Sequence, residues 1–327
     1  MSDFNEQHSI GYLTDADLAD YLEEIGDDEA AQALRAAGAR GQSLARMRGA
    51  AYANTAHVYG FIEEGGAGSG RVPIRPAHSI DADPSLIGRT IKVTLDGFRV
   101  EEYPGLGQHT VLFDFQGRDQ AGAEAQDLQF GSVLTVNDGD NAAVNGSPIF
   151  TGLTVPGDGL SFKVRTITIR SSGDETILAV FRSRAFQDGL KLLGQVQPAL
   201  PQLVSLAGGI ADNLEKRRRN KQVQGFDLGL DFSRSRTSAR LRRGSYVVVQ
   251  VADASLWDWD QWFYDPSSMN VVNGEGRIAP LNTIIFAVTD SASGDPRSAM
   301  RGEGRTALQA SRTPAVAPGK SATGERV

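Results

Sequence analysis

The stretch LSFKVRTITI, residues 160–169, decides the fold of this chain. Apolar Phe162 and Val164 fall on one side of an extended backbone. The charged side chains of Lys163 and Arg165, which alternate with them, fall on the other side. A period of two with enriched β-branched residues predicts a strand that has one face in a core and one polar face.

Runs of the same kind lie on both sides of this stretch and are separated by Gly, Asp, Asn and Pro clusters. They cover residues 91–98, 111–115, 128–130, 133–136, 149–155, 176–181, 226–232, 246–251 and 283–288. Short strands with turn residues between them are typical of antiparallel sandwiches. The sequence therefore predicts an α+β protein whose main domain, residues 71–290, is an antiparallel β-sandwich of C2-like or jelly-roll-like architecture.

The strand pattern is interrupted at residues 185–220, where apolar residues recur at helical spacing and Pro198 and Pro201 divide the segment. This pattern predicts an inserted helical hairpin. Leu192–Ala211 is uncharged over twenty residues, a length that could cross a bilayer. Its Gln, Gly and Pro residues favour a hairpin packed on the core instead.

The first 64 residues read as an acidic helical module that acts as an adaptor or a lid. Thr14 is a candidate N-cap, and Gly26 ends the helix that it begins. Ala-rich helices are expected next at 28–37 and 43–59. Beyond the module we expect a Gly-rich linker at 65–70 and, at the other end of the chain, a disordered tail at 291–327.

Composition excludes several classes of protein. The chain of 327 residues has no Cys, which removes disulfides, thiolate nucleophiles and Cys-ligated metals. Its first 30 residues carry ten acids and no Lys or Arg, unlike a secretory signal. No catalytic motif is recognisable. We expect a cytoplasmic protein that is not an enzyme, with peripheral membrane attachment as the alternative location.

The net charge of −7 conceals two opposed segments. Residues 1–64 hold twelve acids and four bases, whereas residues 216–243 hold ten bases and two acids. The basic segment could pair with the acidic module, within or between chains, or bind an anionic membrane surface. Nucleic acid is the least favoured partner, because stacking aromatics do not alternate with the arginines.

All three tryptophans lie in the segment WDWDQWFYD, residues 257–265. In an extended chain Trp257 and Trp259 would share one side and Trp262 would lie on the other. Burial as a plug in the core and an exposed recognition patch both remain open. The candidate partner- or lipid-binding residues are Lys216, Arg217, Arg218, Arg219, Lys221, Arg240, Arg242, Arg243, Trp257, Trp259 and Trp262.

Four aspartates in two loops suggest a calcium site. Asp138 and Asp140 lie between predicted strands, and Asp258 and Asp260 alternate with the tryptophans. Carboxylate oxygens from loops at one end of a sandwich can hold Ca²⁺. A plain Asn-Asp-Gly turn explains the first loop equally well. No other cofactor is expected.

These features favour a non-enzymatic binding or effector protein that works through protein–protein assembly, with a protein partner or another copy of itself. The acidic module would pair with the basic 216–243 segment or regulate it. The alternative is a membrane-active protein that binds anionic lipid or forms pores through the 192–221 hairpin, in a manner that could depend on Ca²⁺.

Overall fold

The computed structural model describes residues 4–39, 49–64, 70–119, 126–144, 146–170, 174–187, 190–191, 200–233 and 238–291. The α+β class predicted from the sequence is confirmed. The helices are α1 Asp15–Glu24, α2 Asp28–Ala39, α3 Glu175–Phe181, α4 Arg184–Gln187 and α5 Leu200–Glu215. Short 3-10 helices occupy Glu6–His8, Ile10–Tyr12, Ala51–Ala53, Pro84–Leu86, Ala254–Leu256 and Trp259–Gln261.

The strands, in chain order, are β1 Ala56–Glu63, β2 Val72–Pro73, β3 Arg75–Pro76, β4 Thr90–Val100, β5 His109–Asp119, β6 Gln126–Val136, β7 Asp140–Asn141, β8 Ser147–Thr154, β9 Leu160–Ile169, β10 Leu190–Lys191, β11 Lys221–Asp231, β12 Ala239–Arg240, β13 Gly244–Val251, β14 Trp262–Asp265, β15 Asn270–Asn273 and β16 Thr283–Asp290. Strand β9 has the bounds of the stretch with which the sequence analysis began.

Within the described ranges these strands form three sheets. The first sheet has the order β10-β8-β4-β16-β13-β1-β3, and β7 pairs with β4. The second has the order β12-β11-β9-β5-β6, and the third β15-β14-β2. Pairing is antiparallel except between β10 and β8 and between β11 and β12.

The first and second sheets pack face to face through aromatic side chains. The ring of Phe115 on β5 lies 5.8 Å from Phe150 on β8 and 5.9 Å from Phe286 on β16, measured between centroids. Phe162 on β9 lies 5.0 Å from Phe115. All four rings are fully buried, so the core of the sandwich lies between these two sheets.

Each sheet of the sandwich is also covered on its outer face. Trp259 and Val271 pack with Val247 and Val249 of β13 in a separate apolar cluster on the first sheet. Helix α5 lies on the second sheet, close enough that a side-chain carbon at Gly208 would collide with the Gln129 amide of β6. Because of this covering helix, the part of the outer face that holds Asp114, Gln129 and Arg165 is buried.

Three stretches of secondary structure differ from the sequence prediction. Residues 176–181, expected to form a strand, lie in helix α3, since a short apolar run fits either structure. Residues 56–59, expected to end a helix of the acidic module, belong to β1, which pairs along its whole length with β13. The single helix α5 is the main element of the insertion, preceded by the short α4 and β10.

Several predictions fall outside the described residues. The bend of the expected hairpin at 192–199, most of the glycine-rich linker (65–69) and the tail from residue 292 onward are in this group.

Candidate functional site

The basic run that follows helix α5, residues 216–221, contains three arginines. One contacts a buried carboxylate and the other two lie at the surface. The guanidinium of Arg217 forms an ion pair with Asp174, which is fully buried. Next to it, Arg218 Nε lies 2.8 Å from Glu24 Oε2, and 84% of the Arg218 side chain is exposed. Arg219 Nη2 donates to the backbone carbonyl of Glu24 at 2.8 Å. The acidic module therefore meets the basic run directly at the C-terminal end of α1.

Further contacts join the N-terminal residues to strand β11. Gln222 Nε2 donates to Ser9 Oγ at 2.8 Å and to the backbone carbonyl of Asn5 at 3.1 Å. The ammonium of Lys221 lies 5.9 Å from the ring centroid of Tyr21. Burial raises the pKa of the Tyr21 hydroxyl above its ordinary value, so this hydroxyl stays protonated. We call the surface formed by Lys216, Arg218, Arg219 and Lys221 the basic corner.

A buried network of charges lies beneath the basic corner. Arg165 of β9, which is fully buried, donates to Asp114 Oδ2 on β5 at 2.7 Å. It also donates to Asp212 Oδ1 at 2.7 Å and to Glu215 Oε2 at 2.6 Å, both on α5. Gln129 on β6 donates to the other Asp114 oxygen at 2.8 Å. Arg165 therefore fastens helix α5 to the second sheet.

The carboxylates determine the ionisation of Arg165. Burial alone would lower its pKa, but the nearby carboxylates of Asp114, Asp212 and Glu215 outweigh burial and hold the pKa above its ordinary value. Glu215 extends the network to the N-terminal residues, because its Oε1 lies 2.8 Å from His8 Nδ1. Polar contacts thus run from the second sheet through α5 to the acidic module.

The remaining basic candidates lie elsewhere. Arg240, at the far end of β11 from Lys221, is 93% buried, with 7% of its surface exposed. Arg242 Nε lies 3.4 Å from Glu63 Oε2, and Arg243 pairs with Asp83 and Asp290. Strand β11 has 11 residues, Lys221–Asp231, and at 3.3 Å per step it separates the two groups by about 33 Å. The predicted basic segment is therefore two separate groups.

The tryptophans form one cluster on the first sheet. Trp257 and Trp262 stack with centroids 4.9 Å apart and planes 5° apart, and Trp257 meets Trp259 edge-on at 5.3 Å. Trp259 is buried against Gly60 and Ile74, while Trp257 and Trp262 are partly exposed. The placement expected for an extended chain is wrong, because a 3-10 helix at Trp259–Gln261 turns the backbone and brings Trp262 back onto Trp257.

Three of the four aspartates suggested for calcium, Asp138, Asp140 and Asp258, accept hydrogen bonds within the chain. Asp138 Oδ1 accepts from the backbone N–H of Tyr103 and from His109 Nε2, each at 2.8 Å. Asp140 accepts from an asparagine in its own turn, and Asp258 caps the backbone N–H of Asp260 at 3.0 Å. Across the described ranges, no group of three or more His, Asp or Glu side chains is placed to hold a metal ion.

Sequence reasoning missed a second internal network, which begins at Asp138. Arg170 Nη2 donates to His109 Nδ1 at 2.7 Å, so the histidine Nε2 carries the hydrogen that is donated to Asp138. His109 is fully buried between the two, and burial lowers the pKa of Arg170. The sequence did not predict the contacts of His109 with Arg170 and Asp138, because these residues are far apart in the chain. The only sequence signal was that His109 alternates with core residues of β5.

Comparison with known proteins gives no relative of this chain. No protein-family model matches it, and neither a curated protein nor a solved structure does so. Among the described helices, none combines the length and the apolar character needed to cross a membrane.

Proposed function

We propose that this protein is a non-enzymatic binding protein that acts through protein–protein contacts, and that its acidic module regulates the basic corner. The contact between Arg218 and Glu24 carries the proposal. An ion pair with 84% of the arginine exposed contributes about 0–1 kcal/mol, because water competes for both charges. A carboxylate from a partner protein could replace Glu24 at little cost.

The neighbouring arginines of the basic run differ in role: Arg217 stabilises the fold, whereas Arg218 and Arg219 are available to a partner. Arg217 is committed to the buried Asp174, and its release would leave a charge without its partner in the interior. Arg218 and Arg219 are exposed, and both contact Glu24. An acidic partner would therefore engage these two and leave Arg217 in place.

The acidic module is suited to act as a regulator rather than as a loose tail. Ile10, Leu18 and Leu22 are buried in the same apolar cluster as the sandwich core. This packing keeps the module in place, while its polar contacts with the basic corner are individually weak. We propose that a partner displaces the Glu24 carboxylate from Arg218 without undocking α1, whose last carbonyl stays bound to Arg219.

Calorimetric titration of the full-length protein with a short polyglutamate peptide tests the proposal. Glu24→Gln should bind the peptide about fivefold more tightly, which corresponds to about 1 kcal/mol of lost internal competition. Arg218→Gln should bind it more weakly than the wild type. Glu29→Gln is the matched control, since Glu29 is exposed in the first turn of α2 and forms none of these contacts.

Two results would count against the proposal. If Glu24→Gln and Glu29→Gln bind the peptide equally well, Glu24 does not regulate the corner. Sedimentation of the same variants with phosphatidylserine vesicles examines the membrane alternative. Vesicle binding that increases in Glu24→Gln without any gain in peptide affinity would replace a protein partner with anionic lipid.

A further inference from the structure

A second candidate surface lies on the opposite face of the sandwich from α5, around the stacked pair Trp257 and Trp262. Leu256, directly before this pair, is 83% exposed. Both indoles are partly exposed, and together with Leu256 they present apolar and aromatic atoms to solvent. Exposed apolar surface next to stacked indoles is characteristic of protein recognition sites.

The stacked pair rests on a rigid base. Trp259 fills the space above Gly60, where an added side-chain carbon would lie 2.7 Å from Trp259 Cη2. It is 7% exposed and belongs to the apolar cluster that covers β13. Because Trp259 also contacts Trp257 edge-on, the exposed pair is held in place before any partner arrives. Such preorganisation lowers the entropic cost of binding.

The segment that carries the tryptophans is acidic. The segment 244–276 contains five acids and no Lys, Arg or His. Asp253, Asp258 and Asp260 are exposed beside the indoles. Three arginines of known position lie near the segment, and each has an acceptor: Arg75, on the strand β3 that contacts Trp259–Gln261, pairs with Glu63, Arg277 pairs with Glu275, and Arg71 donates to the backbone of Gly274. The charge around the tryptophan pair is therefore negative.

Local hydrogen bonds favour the ionised form of two carboxylates of this segment, Asp253 and Asp265. Ser255 donates to Asp253 from its hydroxyl and its backbone N–H, and these bonds lower the pKa of Asp253. Hydrogen bonds from Ser267 lower the pKa of Asp265 in the same way. These two aspartates thus contribute negative charge to the surface at neutral pH.

We infer that the Trp257–Trp262 pair and the acids around it form a docking surface for an arginine-containing peptide segment of a partner protein. A guanidinium can stack on an indole while its N–H groups bind carboxylates, and Leu256 would contact the aliphatic part of the segment. The inference does not depend on the basic corner, because neither the residues nor the charge of the ligand are shared.

The chemistry of the surface favours arginine over lysine and over lipid. An ammonium is more strongly hydrated than a guanidinium and cannot stack as a plane, so lysine should bind more weakly. Anionic headgroups would be repelled by Asp253, Asp258 and Asp260. Charge complementarity therefore selects a cationic peptide as the occupant.

Tryptophan fluorescence tests the inference directly, because all three tryptophans of the chain belong to this cluster. The full-length protein is titrated with a synthetic Arg-Gly repeat peptide at physiological salt concentration. We expect saturable quenching of the emission, with several-fold weaker binding of the Lys-Gly analogue and no effect of a Glu-Gly analogue.

Variants at exposed positions locate the binding without disturbing the fold. Leu256→Ser and Asp260→Asn should each weaken binding of the Arg-Gly peptide several-fold. The matched controls are Leu206→Ser on α5, where Leu206 is 49% exposed, and Asp158→Asn in an exposed turn. Both controls should bind like the wild type.

Three outcomes would overturn the inference. One is unchanged emission up to millimolar peptide. Another is equal weakening by Asp260→Asn and Asp158→Asn, which would show attraction to the net negative charge alone. The last is a blue shift with anionic vesicles in the absence of any response to the peptide, which would identify lipid as the occupant.

Discussion

Arg165 and Asp114 are directly opposite each other on neighbouring strands of the second sheet, and the Arg165 Nε–Asp114 Oδ2 distance is 2.7 Å. Both side chains point away from the sandwich core, yet both are buried, because α5 covers them. Two α5 carboxylates, from Asp212 and Glu215, complete the coordination of the guanidinium. The alternation of apolar and polar residues predicts that this face of the second sheet is exposed to solvent. In the structure helix α5 packs on it.

Replacement of the arginine should therefore destabilise the protein strongly. Arg165→Met leaves the buried Asp114 and the two α5 carboxylates facing one another without a cation, at an expected cost of about 3–5 kcal/mol in the free energy of unfolding. Lys163→Met, two residues earlier on the same face but exposed, should change it by less than about 0.5 kcal/mol. Urea denaturation measures both, and equal effects would show that Arg165 is not an anchor.

The neighbours Arg217 and Arg218 should differ in the same experiment. Arg217→Met removes the cationic partner of the fully buried Asp174, and we expect a loss of about 2–4 kcal/mol. Arg218→Met breaks an exposed pair and should cost less than about 1 kcal/mol. A large effect at Arg218 would contradict the view that Glu24 is easily displaced.

The adjacent glycines Gly208 and Gly209 in α5 test how closely this helix packs against the second sheet. Nothing lies within 4 Å of the position of an added carbon at Gly209, so Gly209→Ala should stabilise the protein by about 0.5–1 kcal/mol through helix propensity. At Gly208 the same carbon would collide with Gln129, which donates to Asp114. Gly208→Ala should lower the free energy of unfolding. Similar thermal melting shifts for both variants would contradict the close approach of α5 to the sheet.

The alternation of apolar and polar residues predicted the strands correctly, because a strand with one buried face needs an apolar side chain at every second position. Strands β9, β13 and β16 lie where the sequence placed them, and Thr14 caps α1 through a hydrogen bond from the backbone N–H of Asp17. Each of these features depends on residues within one or two turns of chain. The α3 helix was missed because its seven residues are too few to separate a period of 3.6 from a buried strand.

The candidate site was only partly predictable, since its contacts join distant parts of the chain. The opposed charges suggested that the acidic module meets the basic run, and the exact pair, Glu24 with Arg218, emerged only from the packing of α1. The sequence of β9 does not predict the burial of Arg165, because the polar face of this strand is covered by helix α5, which is distant in the sequence. Likewise, the stacking of Trp262 on Trp257 depends on a turn that the sequence did not reveal.

His57 should make stability depend on pH in a defined window. Its Nε2 is shielded from solvent and has no hydrogen-bond partner among the described residues, and its ring lies 4.9 Å from that of Phe226. Burial lowers the pKa of His57 to about 3.

The sign of the effect follows from proton uptake. In the unfolded chain the imidazole binds a proton near pH 6.5, whereas in the folded protein it stays neutral down to about pH 3. The unfolded state therefore binds more protons between these values. Stability from this group is complete above pH 6.5 and falls by up to about 1.4 kcal/mol per pH unit as the pH decreases towards 3.

His57→Gln removes this dependence, while any cost of burying the amide is the same at every pH. The difference in the free energy of unfolding between the variant and the wild type should be constant above pH 6.5 and should shift steadily in favour of the variant below it. His78→Gln, at an exposed position, is the matched control and should run parallel to the wild type. If the His57→Gln curve also runs parallel, the imidazole takes up its proton in the folded state, and burial does not exclude it.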